Sequence, residues 1–71
     1  MKVRYSVQNI HCQKCANTIL NSLSDEFAGI EILLDKEPKE IIVELTAEQE
    51  QKFKDDMNDI GYPIIQELER S

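Results

Sequence analysis

Cysteine and histidine are scarce in this sequence, two of the first and one of the second, and tryptophan is absent. A framework of structural disulfides is thereby excluded: Cys12 and Cys15 lie three positions apart and would close too short a loop to stabilise a fold much. With His11 the chain offers at most three Cys and His side chains, one short of the usual structural zinc cage. No apolar run approaches the ~20 residues of a membrane span, and Met1 to Val7 alternates like a strand instead of setting a basic patch before an apolar signal core. Basic residues are the minority, 8 against 14 acidic, and the net charge of -6 repels phosphate backbones and anionic lipid. Nucleic acid and membrane insertion are therefore poor expectations. Glycine and proline number two each, with no low-complexity run.

What is present is the composition of an ordinary folded protein, 41% hydrophobic and 31% charged. Seventy-one residues are expected to form one domain over 1–71, near the size at which a single core barely offsets chain entropy. A cytoplasmic location is expected, where reducing conditions keep the two cysteines as thiols, available for chemistry.

Val3, Tyr5 and Val7 alternate with Lys2, Arg4, Ser6 and Gln8, the period of a strand with one buried face. From Lys14 the apolar positions become Ala16, Ile19, Leu20, Leu23 and Phe27, the spacing of an amphipathic helix that fades through Ser24, Asp25 and Gly29. Ile30, Ile32 and Leu34 return to alternation, and after the turn-like "KEPK" so do Ile41, Val43 and Leu45, which reads as a hairpin. Thr46 with Gln49 fits a capping box, Phe53, Met57 and Ile60 share a helical face, Gly61 suits the position after a helix, and Pro63 prevents its continuation. "YPIIQEL" closes the order as a fourth strand.

Two amphipathic helices each need an apolar surface to cover, and a four-stranded antiparallel sheet supplies one face for both. The expected class is α+β, a ferredoxin-like βαββαβ sandwich. Strand three then lies between strands one and two, and strand four lies beside strand one. In that topology the loop "NIHCQ" and the corner "GYP" meet at one end of the sheet, which makes Tyr62 a neighbour of the cysteines.

"NIHCQKC" after strand one, with "GY" before strand four, resembles the heavy-metal-associated domain family, found in bacterial copper chaperones and in the soluble modules of copper-transporting ATPases. The resemblance spans nearly the whole chain. The family motif reads Gly-Met-X-Cys-X-X-Cys, so Cys12 and Cys15 match while Asn9 and Ile10 stand in place of glycine and methionine. It implies Cu(I) held by Cys12 and Cys15, with His11 and Tyr62 as accessory candidates. It implies also a partner that takes the copper, such as a copper-transporting P-type ATPase, and a monomer or a metal-bridged dimer. Met1 so close to strand one favours a free-standing chaperone over a module of an ATPase.

The donor atoms lead the same way. A metal–sulfur bond of about 2.3 Å puts two sulfurs about 4.6 Å apart when they oppose each other on one ion. Side chains three positions apart at a helix start reach that distance. Two thiolates without further strong ligands suit soft Cu(I), whereas structural zinc takes four. The helix start favours a thiolate by about 0.3 to 1 kcal/mol, and Lys14 adds positive charge nearby. Against an ordinary thiol pKa of about 8.5, the metal itself must drive most of the deprotonation.

Two other readings stay open: a thiol-disulfide redox pair, disfavoured because no aromatic or proline flanks or separates the cysteines, and a zinc or other soft-metal module. No enzymatic reaction is expected. Ile10 and Met57 are expected in the core, Asn9 in a backbone conformation with φ > 0, and His11 in solvent. Glu48, Glu50, Asp55, Asp56 and Asp59 are expected as a solvated helix face.

Overall fold

Strand β1 (Lys2–Val7) runs through the middle of the sheet because every second residue on it is apolar and both of its edges find antiparallel partners. The structure, a computed structural model, describes residues 1–11, 13–36 and 38–70. After β1 come α1 (Gln13–Leu23), β2 (Ala28–Leu33), β3 (Glu40–Glu44), α2 (Gln49–Asp59) and β4 (Ile64–Arg70). The strand order is β2-β3-β1-β4, all antiparallel between neighbours, with both helices on one face: the ferredoxin-like βαββαβ fold.

The register of β1 on β3 pairs Val3 with Val43 and Tyr5 with Ile41, so the alternations of two strands share one buried face. Upon it lie Ala16, Ile19 and Leu23 of α1 and Phe53 and Met57 of α2, all buried. Phe53 is the hub. Its ring stacks on Tyr5 at 5.6 Å between centroids and meets Phe27 edge-on at 5.3 Å, both within the range that favours aromatic pairs. Burial of the Tyr5 ring, with Glu50 and Glu67 near it, pushes its hydroxyl pKa up.

Several local expectations change in detail. Ser6 is on the polar half of the β1 alternation yet is buried, because β1 is central and a side chain this small is walled in by its neighbours; its Oγ reaches the Gln66 carbonyl at 3.5 Å. Of the capping box only the return half forms: Gln49 Oε1 accepts from the Thr46 N–H at 2.9 Å, while the Gln49 N–H goes to the Thr46 carbonyl and α2 opens a turn later than Thr46. Strand β4 begins at Ile64, so Tyr62 and Pro63 precede it. The strand is broken by two register shifts, and past Ile64 its residues are exposed.

On α2 the acidic face is less uniform than its sequence. Glu48, Asp55 and Asp59 are exposed, but Asp56 pairs with Lys52 at 3.4 Å, and Glu50 is half-buried against the Arg70 guanidinium. Hydrogen bonds from Arg70 hold the Glu50 and Glu67 carboxyls below their ordinary range, tying β4 back to α2. No helix among the described residues is long and apolar enough to cross a membrane.

Candidate metal site

Two backbone bonds close the end of β1 from both sides: the Val7 N–H donates to the Lys39 carbonyl at 2.9 Å and the Gln8 N–H to the Pro63 carbonyl at 3.1 Å. The next residue turns the chain. Asn9 has φ of 70°, the left-handed region that asparagine enters more cheaply than most residues, which explains how it stands where the resembled family has glycine. Ile10 then drops into the core at 4% exposure, anchoring the loop from below. His11 is exposed. Cys12 lies outside the described residues. Helix α1 starts at Gln13, and Cys15 sits in its first turn, half-buried and packed against the core cluster.

That first turn carries no acidic residue. The partial positive charge of the helix start is therefore not already answered by a carboxylate of the turn, which is the electrostatic setting that favours a thiolate. Lys14 is exposed beside it.

Across the end of the sheet, α2 stops in a Schellman motif. The Tyr62 N–H donates to the Met57 carbonyl at 2.9 Å and the Gly61 N–H to the Asn58 carbonyl at 3.2 Å, with Gly61 at φ of 92°. This fixes where Tyr62 starts: half-buried, against the core, on the corner that leads into β4. The Asn9 side-chain amide donates to the Gly61 carbonyl at 3.0 Å. Together with the Gln8 to Pro63 bond, it brings the cysteine loop and the Tyr62 corner to the same end of the sheet, as the topology requires.

Sequence reasoning did not foresee the wall beside the loop. An open groove of about 330 Å³ runs along Asn9, Ile10 and His11 and is bounded by Pro38, Lys39 and Ile65. Ile65 is 45% exposed there, at a register shift of β4. A bulge cannot be read from an apolar run, so nothing in "PIIQEL" marked this residue as outward-facing. Among the described residues, no three His, Cys, Asp or Glu side chains come together in a way that could hold a metal ion.

No family model and no curated protein matches the chain. A solved structure shares its fold. The solution structure of the N-terminal domain of ZntA in the Zn(II)-form aligns with a TM-score of 0.78, covering 99% of this chain and 94% of that one, at 12% sequence identity. At that identity the likeness establishes the architecture, nearly end to end, and leaves the chemistry to the residues of this chain.

Proposed function

We propose that the chain binds a soft metal ion through Cys12 and Cys15, Cu(I) being the ion that two thiolates suit best, and passes it to an acceptor protein by ligand exchange. The observation that carries the reading is the placement of a C-x-x-C pair at the start of an amphipathic helix whose first turn is free of acidic residues. Fold likeness to a domain solved in its Zn(II)-form supports a metal as the cargo. An ion held by only two sulfurs leaves room for an incoming thiolate, so transfer proceeds through a three-coordinate intermediate with no covalent catalysis. The acceptor is a copper-accepting protein such as a copper-transporting P-type ATPase. The protein acts in the cytoplasm, as one domain over 1–71, and is a monomer or a metal-bridged dimer.

The same comparison favours a second reading, zinc as the cargo. Zinc needs more donors: His11, next to Cys12 in the sequence and exposed, is the third that the chain offers, with a partner or solvent completing the shell.

Thiol binding has a pH signature. Below an ordinary thiol pKa of about 8.5, each sulfur must lose a proton to bind, so with two sulfurs the affinity for Cu(I) should rise by close to 100-fold per pH unit between pH 6 and 7. Competition with a chelator at several pH values checks this, and a pH-independent affinity would count against thiolate ligation.

Tyr62 is proposed as a shield for the ion on the corner side. Because the ring is half-buried against the core, Tyr62→Ala should lower stability by about 1 to 2 kcal/mol, more than a surface change. It should also speed Cu(I) loss to a competing chelator. Unchanged release from Tyr62→Ala would reduce the residue to core packing.

A further inference from the structure

Asn9 performs two separable tasks. Its backbone takes the left-handed turn at φ of 70°, and its side-chain amide reaches a carbonyl 52 positions along the chain, that of Gly61. The first task needs only a residue that tolerates positive φ, and glycine would do it better. The second needs an N–H donor of the right length, and glycine has none. Asparagine therefore adds something that the turn itself does not require. The acceptor is also well defined: Gly61 is held by the Schellman bonds of α2, so its carbonyl is a fixed point and not a loose end.

Resting on the metal reading above, we infer that Asn9 is a positioning residue: its amide clamps the loop that leads into Cys12 to the Gly61 corner that carries Tyr62, so that loop and corner keep one geometry before the ion arrives. The loop has three anchors. Gln8 is bound to Pro63 through the backbone, Ile10 is buried, and between them the Asn9 side chain bonds Gly61, two residues before Pro63 on the same corner. Removing the middle anchor loosens the backbone between Gln8 and Ile10 without touching the core. A loop held in its binding geometry loses less freedom on taking up an ion, so the clamp raises affinity and slows release. The bond is solvent-exposed, which limits its worth to the lower part of the hydrogen-bond range.

The test compares wild type with Asn9→Gly and Asn9→Asp. Both variants accept positive φ and neither has the side-chain donor. In metal-free protein, amide hydrogen exchange at Gln8 and Ile10 should be faster in both variants, while exchange of the core strand amides at Tyr5 and Val43 stays at wild-type rates. With Cu(I) bound, transfer to a competing chelator should be roughly two- to fivefold faster in both variants. Equal exchange at Gln8 and Ile10 in all three proteins overturns the clamp, whatever the metal result. Faster exchange with unchanged release overturns its role toward the ion. If the wild type takes up neither Cu(I) nor Zn(II) while the exchange difference is present, the clamp stands and the metal reading falls.

Discussion

Phe53→Ala should remove about 3 to 5 kcal/mol of stability, the cost of deleting a large ring from a core that cannot collapse around the gap. Phe53 is fully buried and joins three parts of the chain: its own helix, Tyr5 on the central strand and Phe27 just after α1. A domain of 71 residues holds only roughly 4 to 10 kcal/mol in total. The substitution therefore takes between about a third of the whole and all of it, and the variant should denature at a markedly lower urea concentration than wild type. Urea denaturation followed by circular dichroism measures it, and a loss below about 1 kcal/mol would show that the aromatic cluster is not the centre of the core.

For the cysteines the expectation is the reverse, a large effect on binding and a small one on folding. Cys12→Ser and Cys15→Ser should each weaken Cu(I) binding by at least about 100-fold, because a hydroxyl is a hard, weakly acidic donor and one thiolate alone does not hold the ion. Cys15 packs against the core from the first turn of α1 but is only half-buried, so its loss should cost about 1 kcal/mol. The metal-free double variant should keep the native circular dichroism spectrum. Loss of that spectrum would make the cysteines structural, and retained tight binding in either single variant would move the ligands elsewhere.

The architecture was legible because strand and helix periods alternate cleanly along the chain. Val3, Tyr5 and Val7 give a period of two, Ala16, Ile19 and Leu23 give the helical spacing, and all of these are buried. Punctuation was legible too, where one residue type has one physical use: Gly61 takes the left-handed position after α2, and Asn9 takes the same region before α1. What sequence could not show are features that depend on a partner far along the chain. The acceptor of the Asn9 amide is a backbone carbonyl, which every residue has, and the burial of Ser6 depends on lying between β3 and β4. Ile64 and Ile65 look alike in the sequence, yet the first packs on the core and the second, at a register shift, is exposed.

The proposed site rests on a motif that the sequence itself displays, two cysteines at one spacing and one junction. The surroundings of the loop were only partly legible. That the Tyr62 corner lies at the same end follows from element order, since the corner before β4 must meet the loop after β1, whereas the groove along Lys39 and Ile65 depends on the residue before β3 and on a register shift in β4 that no pattern announces.

The identity of the ion is the central claim, and competition titration tests it most directly. Reduced protein is titrated anaerobically with Cu(I) and, separately, with Zn(II), each against a chelator of known affinity. Two soft donors without an obvious third and fourth predict about one Cu(I) per chain, bound much more tightly than zinc. Zinc binding equal to or stronger than Cu(I) binding would contradict the copper assignment.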